Sequence, residues 1–206
     1  MKWNTIAIYL ATNLLLLSYV SVEALPRRFR VSFTPAGKGH PRYTSAGAVR
    51  STQCNQDQVE NKSLTAIVPS NEQSLTNKSH PTFLAYIPPN SSSKGVFAIK
   101  DEMENYYYEQ EVAIPSEGGI VAIPLSQNNP GLEEGKYSWY LRVQCDKYPS
   151  MDDPFVGANI RKINSEEPTG LWYEIAEESL NSSEWDDLMI QVNLDFLADE
   201  TVTYIQ

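Results

Sequence analysis

The chain is short of the residues from which most active centres are built. It has two histidines and two cysteines in 206 residues. His40 lies in a Gly- and Pro-containing segment, and His80 precedes a proline, so neither has the spacing of a metal-ligand pair or the rigid position that a Ser-His-Asp arrangement needs. A spaced Asp-x-Asp-x-Asp-Gly loop for calcium is also missing. The sequence therefore predicts no catalytic residue, no metal centre and no cofactor.

Basic residues are scarce in most of the chain. Residues 51–206 hold nine of the 16 basic residues and 25 of the 26 acidic ones, a net charge of −16. Residues 25–50 hold six basic residues and no acidic one. An acidic body argues against nucleic acid as a partner. The basic segment predicts membrane contact at most through this arm, and a solvated spacer is the alternative interpretation.

Long apolar runs are absent beyond residue 22. Before that point, Lys2 precedes a leucine-rich run over residues 6–20, and Val22-Glu23-Ala24 follows. This pattern predicts a signal peptide over residues 1–24, cleaved near Ala24, and therefore an exported protein that is periplasmic or extracellular. A retained membrane anchor is the alternative, because the run approaches the minimum length for crossing a bilayer.

The two cysteines are Cys54 and Cys145. An even number of cysteines in an exported chain predicts a disulfide, and two unrelated thiols are the alternative. The bond would close a loop of about 90 residues, to which chain-entropy estimates assign roughly 4–5 kcal/mol.

Proline and glycine are concentrated ahead of the body. Residues 25–63 carry them among few apolar residues, which predicts a flexible basic arm. From residue 64 to the C-terminus, short apolar or alternating runs separated by turn residues predict one domain with an antiparallel β-sandwich. The seven predicted strands are Leu64–Val68, Thr82–Ile87, Val96–Ile99, Tyr106–Ile114, Ile120–Leu125, Lys136–Cys145 and Phe155–Ile163.

The sixth of these strands carries the clearest alternation, in the stretch GLEEGKYSWYLRVQC over residues 131–145. Strand geometry places one set of side chains on the core face, Tyr137, Trp139, Leu141, Val143 and Cys145, and the other set on the opposite face. The order Leu132, Gly135, Tyr137 resembles the tyrosine corner of immunoglobulin-like and fibronectin-like domains, in which the hydroxyl bonds to upstream backbone. The fold class predicted is therefore mainly β, with an immunoglobulin-like or fibronectin-like sandwich.

The period changes from about residue 168. Apolar residues recur at helical spacing around Trp172 and again around Trp185, which predicts a short two-helix C-terminal appendage. Ser183 and Asp186 predict a capping box at the start of the second helix. A last short strand is predicted over residues 201–205.

Several motifs occur in the order typical of one known family. They are LTAIVP at 64–69, PTFLAYIP at 81–88, GKYSWY at 135–140 with Cys145-Asp146, VGANI at 156–160, GLWYE at 170–174 and Trp185. In these motifs the chain resembles domain-of-unknown-function family 928, found mainly in cyanobacterial exported proteins. The basic, Gly-containing segment ahead of Cys54 is also similar to the family's lead into a cysteine. The resemblance implies no established activity.

Exposed aromatic side chains provide the candidate binding residues. The run Tyr106-Tyr107-Tyr108 alternates faces on a strand, and we predict a ligand surface formed by Tyr107, Tyr140 and Arg142, on which sugars would stack. The alternative, which the residue type favours, is that these tyrosines only cover a half-buried sheet, a surface that tyrosine suits well. Asp146, Asp152 and Asp153 flank one loop, and solvated charge is favoured there over a calcium site.

These observations predict a non-enzymatic binding or structural protein of the cell envelope. Its partner would be an envelope protein or polysaccharide. The alternative is an envelope glycan hydrolase that uses a carboxylate pair across a cleft. The adjacent pairs available are Glu133-Glu134, Asp152-Asp153, Glu166-Glu167, Glu177-Glu178 and Asp186-Asp187.

Overall fold

Ten strands and two α-helices form the described part of the protein. The computed structural model describes residues 43–44, 63–69, 74–148, 150, 153–165, 171–180 and 182–206. The strands are β1 Tyr43–Thr44, β2 Thr65–Ala66, β3 Ser74–Thr76, β4 Thr82–Ile87, β5 Lys94–Asp101, β6 Tyr106–Ala113, β7 Gly119–Pro124, β8 Gly135–Val143, β9 Phe155–Lys162 and β10 Val202–Tyr204. The helices are α1 Trp172–Ser179 and α2 Glu184–Gln191, followed by a 3-10 turn at Asp195–Leu197.

The first sheet has the order β6-β5-β8-β9, and two short strands share the free side of β9. β1 pairs with the beginning of β9, at Val156 and Gly157, and β3 pairs with its end, at residues 160–162. The pairs β5–β6, β5–β8, β8–β9 and β1–β9 are antiparallel, whereas β3 runs parallel to β9. β5 and β8 are thus central strands, paired on both sides.

The second sheet has the order β10-β7-β4-β2. Its pairs β2–β4 and β4–β7 are antiparallel, but β10 is parallel to β7. The expectation of purely antiparallel pairing is therefore wrong at β3 and β10. Both are three-residue edge strands, and β10 reaches β7 only after the helical segment, whose length allows the crossover that a parallel pair requires.

The two sheets face each other across an aromatic core. The ring of Phe83 on β4 lies 5.0 Å from Phe97 on β5 and 5.6 Å from Trp139 on β8, centroid to centroid. Tyr173 of α1 contacts the same ring at 5.4 Å, and the Trp139 indole N–H donates a 2.8 Å hydrogen bond to its hydroxyl. The mainly β fold with two sheets and two helices is confirmed.

All seven predicted strands are present, with ends that differ by no more than a few residues from those predicted. The core face predicted for β8 is also confirmed, since Trp139 and Leu141 are fully buried and Tyr137 nearly so. The Tyr137 hydroxyl donates to the Glu133 carbonyl at 3.2 Å, which is the predicted bond to upstream backbone.

The C-terminal helices are confirmed, but the capping box is wrong. Ser183 has helical backbone angles, with φ −66° and ψ −3°, and makes no side-chain cap. A capping side chain needs an extended backbone to reach the first turn. The Ser182 hydroxyl instead accepts a 3.2 Å bond from the backbone N–H of Glu184. No helix within the residues that the structure describes is long and apolar enough to cross a bilayer.

Within the segment predicted as a flexible arm, residues 43–44 pair with β9 as strand β1. The remainder of that segment, apart from residue 63, and the predicted signal peptide lie outside the described residues. The boundaries of the leader and of the arm therefore stay predictions.

Candidate binding cleft

A bulge in β6 decides which tyrosines reach the outer face of the first sheet. Ile99 of β5 is paired with Tyr108, but the next residue, Lys100, is paired with Tyr106. Tyr107 is therefore the extra residue of the bulge, and the register shifts by one at this point. Paired residues share a face of the sheet, so Tyr106 lies on the outer face beside Lys100, while Tyr108 lies on the core side beside Ile99.

The turn between β5 and β6 is held by the carboxylate of Asp101. It accepts bonds from the backbone N–H groups of Met103 at 2.8 Å and Asn105 at 2.9 Å, and from the Asn105 side chain at 3.1 Å. These bonds, chiefly those from Asn105, lower the pKa of Asp101. Glu104 completes the turn with a left-handed backbone at φ 63°. The turn delivers the chain into the bulge that follows it.

The predicted place of Tyr107 on the outer face is wrong. Its ring contacts Tyr137 at 5.3 Å, and its hydroxyl donates a 2.7 Å bond to the Gly131 carbonyl. Burial, with a contribution from the Glu133 charge, raises the pKa of Tyr107. The prediction assumes that successive side chains of β6 point to opposite faces without interruption. The bulge inserts one extra residue into the strand, and this changes the face on which Tyr107 lies.

Tyr106 occupies the outer-face position that was assigned to Tyr107. It is 64 % exposed and lines a cleft of about 460 Å³ together with two of the predicted residues, Tyr140 and Arg142. That volume is within the range of roughly 300–1,000 Å³ usual for ligand pockets. The other lining residues are Val96, Ala98, Lys100, Glu109 and Phe155.

Small residues under Tyr140 shape the cleft. In the register of the sheet, Tyr140 lies between Ala98 of β5 and Gly157 of β9. A Cβ atom at Gly157 would lie 2.3 Å from the Trp139 carbonyl oxygen and 2.9 Å from Cδ1 of Tyr140. The absence of a side chain at Gly157 therefore lets the Tyr140 ring lie close over β9, where it meets Phe155 at 6.4 Å and an interplanar angle of 60°.

The cations of the cleft differ in how far their charge is compensated. The Lys100 ammonium lies 4.9 Å from the centre of the Tyr106 ring and 5.6 Å from that of Tyr140, and 3.5 Å from a carboxylate oxygen of Glu104. Arg142 is exposed and forms no ion pair with any residue in the described part of the chain. The cleft thus offers stacking rings, an apolar floor and one uncompensated guanidinium.

The predicted carboxylate pairs lie elsewhere or outside the described residues. Glu133-Glu134 is exposed in the loop before β8, and Asp186-Asp187 is exposed in the first turn of α2. In the Glu177-Glu178 pair, Glu177 forms an ion pair with Lys78 at 3.1 Å. Asp152 and residues 166–167 are not described. Among the described lining residues, Glu109 is the carboxylate of the cleft.

The loop after β8 is organised by Asp153. Its carboxylate accepts the backbone N–H groups of Cys145 at 3.2 Å and Ser150 at 2.8 Å. No group of three or more metal-ligating side chains occurs among the residues that the structure describes. Cys145 is half-buried against the core, and Cys54 lies outside the described residues, so the disulfide stays a prediction.

Sequence reasoning missed a buried carboxylate on α1. Oε1 of Glu174 accepts bonds from the Thr76 hydroxyl at 2.6 Å and from the backbone N–H groups of Asn77 at 2.9 Å and Lys78 at 3.1 Å. These bonds tie α1 to the end of β3. Oε2 is buried and has no hydrogen-bond partner within the described residues. Glu174 belongs to the GLWYE motif. Its place in a helix does not indicate that it is buried or that it bonds the end of β3, because those contacts come from a distant part of the sequence.

The comparison with known families gives one result. Residues 45–180 match the family described as Domain of Unknown Function (DUF928), and the chain belongs to this family. The match extends from before β2 to the end of α1 and includes the strands that form the cleft. No curated protein and no solved structure matches the chain.

Proposed function

We propose that this member of the DUF928 family is an exported, non-enzymatic binding protein of the cell envelope, and that it holds an envelope polysaccharide in the cleft described above. The observation that carries the proposal is the grouping of Tyr106, Tyr140 and Phe155 around an apolar floor on the outer face of the first sheet. Aromatic rings held on a strand offer large, rigid contact area with little loss of side-chain freedom.

A binding role fits the chemistry of the lining better than hydrolysis does. Glycoside hydrolysis uses two carboxylates across the scissile bond, separated by about 5 to 9.5 Å. The lining residues include Glu109 as a carboxylate together with two cations. Rings that stack on sugar faces and charged groups at the rim are the features of a recognition site.

We further propose that the fold is of the immunoglobulin-like class. The neighbours β2-β4-β7 in one sheet and β6-β5-β8-β9 in the other are in the order of strands A-B-E and C′-C-F-G of such domains. The same class is supported by Tyr137, which lies near the start of β8, the strand equivalent to F. Its hydroxyl bonds the upstream carbonyl of Glu133, as in a tyrosine corner. An experimental structure in which β5 and β8 are not neighbours would contradict this assignment.

Export rests on the N-terminal pattern. With cleavage near Ala24, the mature chain begins at or near Leu25. N-terminal sequencing of the protein from its native envelope checks this expectation. An intact Met1 on most of the isolated protein would favour the retained anchor.

Export also provides the oxidising compartment in which Cys54 and Cys145 would form a disulfide. The bond would join the segment before β2 to the end of β8. We expect mass spectrometry of the non-reduced, alkylated protein to find a linked peptide and no alkylated cysteine. Two alkylated cysteines in the folded protein would refute the bond.

The binding proposal is tested with Tyr140→Ala and the matched control Tyr204→Ala. Tyr204 is an exposed tyrosine on β10, in the other sheet. The full chain is titrated with polysaccharide purified from its own envelope, by calorimetry or affinity electrophoresis. We expect Tyr140→Ala to weaken binding about tenfold or more, the usual loss at an interface anchor, and Tyr204→Ala to change it less than about twofold. Equal binding by both variants and the wild type would refute a role for the cleft.

A further inference from the structure

The outer-face cleft contains charged side chains in addition to its aromatic rings. Two cations, Lys100 and Arg142, line it against one carboxylate, Glu109. The body of the protein around it is strongly acidic, with a net charge of −16 over residues 51–206. Lys100 forms an ion pair with Glu104, so Arg142 is the lining cation without an ion pair in the described part of the chain. An unpaired guanidinium within a strongly acidic surface favours a negatively charged ligand.

The two cations stand at opposite ends of the cleft. Arg142 of β8 is paired with Val96 and Phe155, whereas Lys100 is paired with Ser138, four residues before Arg142 on the same strand. At about 3.3 Å per residue, the backbone positions of these ends are about 13 Å apart. Tyr140 lies between them, so a chain that stacks on this ring can reach both ends.

Arg142 is the end with an unused charge. The Lys100 ammonium already faces Glu104 at 3.5 Å and two aromatic rings. Arg142 has no such partner in the described part of the protein. A guanidinium binds a carboxylate through two parallel N–H···O bonds, which adds direction as well as strength.

A peptide is less suited to this floor. β5 and β8 each pair with a strand on both sides, so their backbone groups are already hydrogen-bonded within the sheet. An extended peptide gains affinity mainly by adding a strand to a free sheet edge. Recognition in the cleft must therefore come from side chains, through ring stacking and the guanidinium.

We infer that the cleft selects an acidic polysaccharide, of the uronate class, whose carboxylate binds Arg142 while a neighbouring sugar ring stacks on Tyr140. This inference rests on the proposed polysaccharide-binding function. Beyond that function, it specifies that the polysaccharide is negatively charged and that Arg142 binds its carboxylate. Screening makes the attraction short-ranged, since the Debye length is about 8 Å at physiological salt, so the acidic surface elsewhere need not prevent it.

The test uses the full chain and two matched probes, polygalacturonate and the same polymer after reduction of its carboxyl groups. We expect the acidic polymer to bind at least about tenfold more tightly than the reduced one at about 0.1 M salt, and the difference to shrink as salt rises. Arg142→Ala should abolish most of the difference by weakening acidic binding alone.

Arg161→Ala is the matched control. Arg161 is an exposed arginine on β9 that does not line the cleft, so we expect its removal to change acidic binding less than about twofold. Arg142→Lys should recover only part of the affinity, because an ammonium cannot form the two parallel bonds. An equal loss in Arg161→Ala would show non-specific charge attraction and overturn the inference.

The two proposals fail in different ways. If both polymers bind equally and Tyr140→Ala weakens both, the cleft binds sugar chains without reading charge, and only the present inference is overturned. If the wild-type chain binds neither polymer, the uronate assignment is wrong, and the titration with native envelope polysaccharide decides the proposed function separately. Binding of both polymers that ignores Tyr140→Ala and Arg142→Ala overturns both proposals.

Discussion

The two faces of β8 show how one strand can carry two kinds of side chain. On the inner face, Trp139 and Tyr137 are buried and their polar atoms have partners, the Tyr173 hydroxyl and the Glu133 carbonyl. On the outer face, Tyr140 is half-buried and Arg142 is exposed without an ion pair in the described chain. A face on which every polar group is satisfied contributes stability, whereas a face with rings and an unpaired charge is available to a ligand.

The strongest way to separate the faces is Trp139→Ala. The indole is fully buried among Phe83 and Phe97, and its loss leaves a cavity and a buried Tyr173 hydroxyl without its donor. We expect the free energy of unfolding to fall by about 3–5 kcal/mol. Denaturant melts of the variant and the wild type measure this. A loss near zero would contradict the assignment of this side chain to the core.

Alkaline pH should act on the inner face through Tyr173. Burial raises the pKa of this tyrosine above its ordinary 10.0. Below the pKa that Tyr173 has in the unfolded chain, the hydroxyl is protonated in both states and the folded protein keeps its full stability. Above that pH the unfolded chain releases the hydroxyl proton while the folded chain keeps it, so the free energy of unfolding falls as pH rises. We expect a decline of up to about 1.4 kcal/mol per pH unit above about pH 10.

Tyr173→Phe is the control for this pH dependence. Denaturant melts at several alkaline pH values should show a shallower decline for the variant than for the wild type. The variant also loses an acceptor for Trp139, so the slopes with pH are compared rather than the absolute stabilities. Identical slopes would show that Tyr173 is not the group responsible.

Smaller losses of stability are expected from removing the tyrosine hydroxyls that donate hydrogen bonds to the loop before β8. Tyr137→Phe and Tyr107→Phe each remove one hydrogen bond, to Glu133 and Gly131 respectively. Each should lower the free energy of unfolding by about 1 kcal/mol. Tyr106→Phe, on the exposed outer side, should change it by less than about 0.5 kcal/mol. Equal effects of all three would contradict the division that the bulge creates.

Among the substitutions that remove a whole aromatic ring, Tyr140→Ala should affect folding less than Trp139→Ala. Its ring packs against Phe155 and over Gly157 but does not enter the core, so the loss should be about 1 kcal/mol or less. The same variant should have the largest effect on polysaccharide binding. Denaturant melts and titrations on one preparation compare the two quantities. A stability loss greater than that of Trp139→Ala would reverse the comparison between the faces.

Local patterns in the sequence were sufficient for most of the secondary structure. The alternation in GKYSWYLRV gives the two faces of β8, because neighbouring side chains on a strand point to opposite sides. The recurrence of Trp172, Ala176 and Leu180 at helical spacing gives α1 and its buried side. The prediction of Tyr140 and Arg142 on the outer face followed from the same period, as both lie on a regular strand.

Relations between distant segments were decided only in three dimensions. The bulge opposite Ile99 and Lys100 depends on how β5 and β6 pair, and it exchanges Tyr106 for Tyr107 in the cleft. The bonds of Glu174 join residues nearly 100 positions apart. Thus the sequence by itself determined eight of the ten described strands, the helices and the two faces of β8, since those follow from neighbours along the chain, whereas β1 and β3 were not predicted. Which residues line the cleft, and which edge strands pair in parallel, could be known only from the tertiary structure. Both depend on the pairing register and on the crossover connection between segments that come together only after folding.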